Sequence, residues 1–220
     1  MKKYLLKNLS LMALLLVGSS SVQSECTLAE GEHNCLKLAD GFYKNKADRS
    51  ALKQALKFYK KACELNDSKG CVNLAFAYNE GEGVKEDKSK ACDLYRKACD
   101  LNDGLGCVNL GISYEDGSGI TADLKQAFSL YKKACALEYG DGCAYLGDLY
   151  AKGLGVSADT KQALHYFDLG CKLDSGYACN NLGLFYFEGV ELKQDKAEAQ
   201  RYFDKACDLG QEEGCNNASN

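Results

Sequence analysis

Ala62-Cys63-Glu64-Leu65-Asn66-Asp67-Ser68-Lys69-Gly70-Cys71-Val72-Asn73 recurs almost unchanged as Ala98-Cys99-Asp100-Leu101-Asn102-Asp103-Gly104-Leu105-Gly106-Cys107-Val108-Asn109. The paired cysteines return at Cys135/Cys143, Cys171/Cys179 and Cys207/Cys215. The first of each pair therefore stands at 63, 99, 135, 171 and 207, one every 36 residues. A fixed period of this size marks stacked units, each too small to bury its own apolar face, and predicts a solenoid.

Each unit reads as two helices, so the fold class is all-α. Helix A is expected over 48–63, 87–99, 123–135, 159–171 and 195–207. Asp87, Asp123, Asp159 and Asp195 open it, because an aspartate there accepts from the orphan amides of the first turn. An alanine and a ring four residues later (Ala55/Tyr59, Ala91/Tyr95, Ala127/Tyr131, Ala163/Phe167, Ala199/Phe203) share one face, the packing face. Lys61, Lys97 and Lys133 complement the dipole at the C-terminal end. Helix B is expected to start at the second cysteine. Gly111, Gly147 and Gly183 recur inside it, where glycine costs up to about 1 kcal/mol, and so imply close helix approach. Gly81/Gly83, Gly117/Gly119 and Gly153/Gly155 turn the chain toward the next unit, with Glu191 standing where the last such pair would have its second glycine.

The expected bounds are an N-terminal half-unit at 25–46, repeats at about 48–82, 84–118, 120–154 and 156–190, and a truncated unit at 192–220. The last helix is cut short and is expected to fray. Residues 1–24 read as a signal peptide: Lys2, Lys3 and Lys7 precede an apolar run over 9–18 and a small-residue stretch ending at Ser24. That run is too short for a membrane span, and no later segment is apolar enough for one. The chain is therefore expected to be exported, to a periplasm or to the medium. Without the leader it keeps 24 basic against 31 acidic residues, about −7, which disfavours nucleic acid as a partner.

Twelve of the 13 cysteines form six spaced pairs. Export permits disulfides, and a short turn between antiparallel helices brings such cysteines within bonding reach. The expected bridges are Cys26–Cys35, Cys63–Cys71, Cys99–Cys107, Cys135–Cys143, Cys171–Cys179 and Cys207–Cys215. Zinc would need closer spacing or histidines, of which the chain has only His33 and His165, so no metal or other cofactor is expected. Cys92 is left over in an apolar helix slot shared with Leu56, Phe128 and Leu164, and is expected to be a buried free thiol.

Ala-x-x-x-Tyr-x-Lys-Ala-Cys-(Asp/Glu)-Leu followed by Gly-Cys-x-Asn-Leu-Gly-x-x-Tyr-x-x-Gly-x-Gly-Val resembles Sel1-like repeats, relatives of tetratricopeptide repeats. With a cysteine pair in every unit, the chain is similar to the Helicobacter cysteine-rich protein family. The resemblance implies an exported, right-handed α/α superhelix of disulfide-stapled helix pairs. It also implies β-lactamase (cyclic amide hydrolase) or penicillin-binding activity, with β-lactams or cell-wall fragments as ligands, and interaction with a host.

The residues themselves show no such chemistry. Serine β-lactamases combine Ser-x-x-Lys with Ser-Asp-Asn and Lys-Thr-Gly. Ser50/Lys53 and Ser129/Lys132 match the first motif no more often than chance allows in a chain this rich in serine and lysine, and neither partner motif occurs. His165 shares its slot with Lys57, Asp93 and Ser129, which reads as an exposed face. The alternative is a non-catalytic scaffold, expected to be monomeric, whose concave face, lined mainly by A-helices, takes a peptide or protein segment. Asn73, Asn109 and Asn181, two residues after the second cysteine, are the candidate ligand-facing residues. A structural job, bonding a neighbouring loop's carbonyls, would explain the same periodicity.

Overall fold

A computed structural model describes residues 33–219. The leader, Cys26 and the first residues of the half-unit lie outside the described residues. Within them the chain forms α1 (His33–Tyr43), α2 (Arg49–Glu64), α3 (Ser68–Glu80), α4 (Lys88–Asp100), α5 (Gly104–Asp116) and α6 (Leu124–Ala136). It continues with α7 (Gly140–Lys152), α8 (Thr160–Lys172), α9 (Gly176–Glu188), α10 (Lys196–Asp208) and α11 (Glu212–Ala218). Each helix packs on the next, antiparallel, giving a disulfide-stapled α/α solenoid with no strand among the described residues. No described helix is long and apolar enough to cross a membrane.

Aspartates open the even-numbered helices. Asp87, Asp159 and Asp195 accept from the amides of Lys90, Gln162 and Glu198, and Asp123 from those of Lys125 and Gln126. From α3 onward the odd-numbered helices start three residues before the second cysteine, not at it. The reason is a second set of caps: Asp67, Asp103 and Ser175 accept from the Gly70, Gly106 and Ala178 amides. Between the two helices of each pair one residue takes the left-handed conformation: Asn66, Asn102, Glu138, Asp174 and Gly210.

Cys63–Cys71, Cys99–Cys107, Cys135–Cys143, Cys171–Cys179 and Cys207–Cys215 are bonded, each with its Cα atoms 4.5 Å apart. Cys35 is also in a disulfide, and Cys26 lies outside the described residues. So close an approach demands small residues at the crossing. A Cβ on Gly70, Gly106, Gly142 or Gly214 would stand 2.4–2.6 Å from the Cβ of Ala62, Ala98, Ala134 or Ala206. The fourth pair swaps the roles, with Ala178 opposite Gly170.

Between units, the rings of the A-helices fill the glycine column. A Cβ on Gly111, Gly147 or Gly183 would meet the ring of Tyr131, Phe167 or Phe203 at 2.4, 2.9 or 2.6 Å. The glycines are therefore where the ring of the following helix sits. Tyr150 stacks on Tyr166 (centroids 5.6 Å) and Tyr186 on Tyr202 (5.4 Å), where α7 passes to α8 and α9 to α10.

The lysine column does its work across units. Lys97, Lys133 and Lys205 donate to the carbonyls of Cys63, Cys99 and Cys171, at the C-terminal end of the preceding even-numbered helix and not of their own. Helical side chains lean toward their own N-terminus, which carries these ammonium groups back and sideways to the neighbour's unsatisfied carbonyls. The short α11 is tied down by its disulfide, by Gln200, whose amide donates to Ala218 O, and by Asn217, which donates to buried Asn180.

Candidate functional site

The layer that faces inward is not the expected one. From α3 onward each odd-numbered helix touches the next odd-numbered helix, while even-numbered helices approach their counterparts marginally at most. In an arc of stacked hairpins the inner layer is the crowded one, so α3, α5, α7, α9 and α11 line the concave face. The expectation that A-helices line it is corrected. Both helices of a unit carry an apolar face, and sequence alone does not say which of them sits on the shorter arc.

A groove of about 500 Å³ opens on this face over the N-terminal half of the solenoid. Leu36 and Asp40 of α1, Lys69, Val72 and Asn73 of α3, and Asp103 and Leu105 at the start of α5 line it, and Tyr139 closes it. A second hollow of about 230 Å³ adjoins it, lined by Tyr43, Tyr59, Phe76, Ala77, Glu80 and Glu82. Asn73 belongs to both.

The walls are held by bonds that join different helices or their caps. Asp40 accepts from the Tyr59 hydroxyl at 2.8 Å, and Asp103 from Ser68 Oγ at 2.8 Å. Glu82 accepts from the Tyr43 hydroxyl at 2.7 Å and pairs with Lys46 at 3.2 Å. The bond from Tyr43 holds the Glu82 carboxyl below its ordinary range, and the same bond pushes the Tyr43 phenol up. Burial, then Asp40, pushes the Tyr59 phenol up further. Phe76 remains 39% exposed, a large apolar ring on an otherwise open wall.

The three singled-out asparagines part company. Asn73 sits in the groove and lines the adjoining hollow beside Tyr59. Asn109 and Asn181 donate to Leu105 O and Tyr177 O, one turn back in their own helices, rather than to a neighbouring loop. Short amides inside a helix have that carbonyl within reach, so their recurrence needs no bridge to a neighbouring loop. In the same column α7 carries Tyr145, which stacks on Tyr131 (5.0 Å) and lies 5.9 Å from Tyr177. Aromatic bulk thus fills the face where α5 gives way to α7.

The other candidates lie elsewhere. Ser50 is exposed in the first turn of α2, and Ser129 is exposed with its hydroxyl donated to Lys125 O. Neither lines the groove. His165 is exposed beside the Tyr166 ring. Cys92 is buried as a free thiol, 3.2 Å from Ser118 O. Sequence reading missed Asp40, Phe76 and Tyr139. Asp40 and Phe76 share a column with Ile112, Asp148 and Leu184 whose character switches between acidic and apolar, and Tyr139 stands where an aspartate or serine caps the sister helices.

The Sel1 repeat family matches residues 47–67, 68–103, 104–139, 140–175 and 176–211. The full matched units begin with an odd-numbered helix, so each disulfide from Cys63–Cys71 to Cys171–Cys179 bridges two successive units. Helicobacter pylori cysteine rich protein B is 40% identical, matching 61% of this chain and 97% of its own, with a TM-score of 0.51. A Sel1 repeat protein from Oxalobacter formigenes is 24% identical over 86% of this chain and 84% of its own, with a TM-score of 0.74. The protein c5321, a protective antigen of uropathogenic Escherichia coli with the same repeat fold, gives 24% identity and a TM-score of 0.69 over 83% of this chain. The chain spans 39% of that protein's length. No curated protein sequence matches the chain significantly.

Proposed function

The chain belongs to the Sel1 repeat family, and from that premise we propose that it is a non-catalytic scaffold that holds a segment of a protein partner in its N-terminal groove. The observation that carries this reading is the open groove itself. It is lined by apolar, aromatic and amide side chains from four helices or their caps, on the inner face of a rigid arc. Disulfides at every hairpin suit an oxidising compartment, so the scaffold works outside the cytoplasm, in a periplasm or the medium.

The test uses Asn73→Tyr, which places in α3 the residue α7 carries in the same column. That substitution is expected to block the groove without unfolding the protein. The wild type should capture a defined protein from periplasmic extract or culture fluid, and Asn73→Tyr should lose it. The hydrolase implied by the family likeness is addressed with purified protein and nitrocefin. Turnover that rises with protein, survives Asn73→Tyr and disappears in Ser50→Ala or Ser129→Ala would replace the scaffold reading.

A further inference from the structure

We infer that the segment held by the groove is extended and cationic, with lysine or arginine alternating with apolar residues. This rests on the scaffold reading above and deepens it. The lining of the two hollows carries four carboxylates, Asp40, Asp103, Glu80 and Glu82, against the single ammonium of Lys69. Their bonded partners in the walls are neutral hydroxyls and amides, except for the exposed Lys46 on Glu82. The charge of the groove is thus left largely uncompensated from within. Leu36, Val72, Leu105 and Tyr139 supply an apolar floor, and Phe76 an apolar wall. A partner that alternates apolar and basic side chains matches both features at once.

The ends of the groove set the length. Stacked helices stand about 8–10 Å apart, so crossing α1, α3 and α5 covers roughly 20 Å, about six extended residues. Beyond that point Tyr139 and the Tyr145–Tyr177 contact fill the face. Asn73, shared by both hollows, stands midway, where a side-chain amide can meet a passing main chain.

The experiment titrates the purified full chain against labelled peptides of about eight residues that alternate leucine with lysine, with serine or with glutamate. Binding is read by fluorescence anisotropy. The leucine–lysine peptide is expected to bind saturably and one to one, and the leucine–glutamate peptide not at all. Asp40→Asn with Glu80→Gln should weaken it roughly tenfold, while the same change of charge on the outer layer, Asp168→Asn with Glu198→Gln, should not. Asn73→Tyr should abolish binding. Equal affinity for the leucine–serine peptide would overturn the charge preference and leave the scaffold standing. An equal loss in the outer-layer variant would overturn it by showing general attraction to an acidic protein. A dimer that the peptide dissolves would give the groove to a second copy of the chain. Failure of all three peptides to saturate would remove both this inference and the groove as a binding site.

Discussion

The Lys97 ammonium donates a 2.6 Å hydrogen bond to the carbonyl oxygen of Cys63, 34 residues earlier and one unit away. Lys133 and Lys205 repeat the bond to Cys99 and Cys171. The fourth lysine position holds Leu169, so the Cys135 carbonyl lacks this bond. Lys97→Met should lower stability by about 1 kcal/mol, below the usual range for a charged hydrogen bond because the site is partly exposed. Leu169→Lys should add a similar amount. Thermal unfolding followed by circular dichroism reads both, and an unchanged Tm for Lys97→Met would show the bond to be idle.

Gly170 and Ala178 reverse the small-residue pairing used at Gly70/Ala62, Gly106/Ala98, Gly142/Ala134 and Gly214/Ala206. One partner must lack a Cβ for the disulfide to close. Gly170→Ala should therefore cost about 1–3 kcal/mol, since backbone and not a flexible side chain must move. Gly170→Ala combined with Ala178→Gly should recover only the part of the loss due to the Ala178 Cβ, because Gly140 O also stands 2.9 Å from the added Cβ. A double-mutant cycle in denaturant gives the coupling energy, and simple additivity would contradict the steric account.

Glu138 and Glu191 hold φ of 59° and 57°, in positions where sister units place Asn66, Asn102 and Gly210, or Gly83, Gly119 and Gly155. A glutamate there carries left-handed strain of about 1 kcal/mol that asparagine or glycine avoids. Glu138→Asn and Glu191→Gly should each raise the unfolding midpoint, the second by less, because glycine also loosens the unfolded chain. A fall in midpoint for Glu138→Asn would mean that its side chain matters more than its backbone.

Burial pushes the Tyr139 phenol up to about 12 and raises those of Tyr59, Tyr95, Tyr131 and Tyr177 further. Below the ordinary value of 10.0 these groups are protonated whether folded or not, and their contribution is intact. Above it the unfolded chain ionises while the folded chain resists, so stability falls as pH rises through 10 toward 12. Tyrosinate absorbance should lag at first and then jump together with loss of helical signal. Smooth titration of every tyrosine on a folded chain would contradict the burial.

How much was legible in the sequence depends on whether a feature repeats. Asp87, Asp123, Asp159 and Asp195 stand a full unit apart and each caps a helix, so an aspartate column read as a helix start was a local matter. The odd-numbered helices were read as starting at their second cysteine because sulfur periodicity was the louder signal. The quieter caps Asp67, Asp103 and Ser175 could have shifted that start by a turn. The groove was illegible for the opposite reason: the column of Asp40 and Phe76 switches between acidic and apolar residues and Tyr139 replaces a capping residue, so neither position carries a repeating signal.

The sequence by itself determined the helix pair, its period and the pairing of sulfurs within each hairpin, because these depend on contacts a few residues apart. Only the tertiary structure decided which layer of helices bends inward, where lysines find their carbonyls and where the inner face stays open. Those depend on contacts roughly one unit away and on the slight rotation between units, which no single unit encodes.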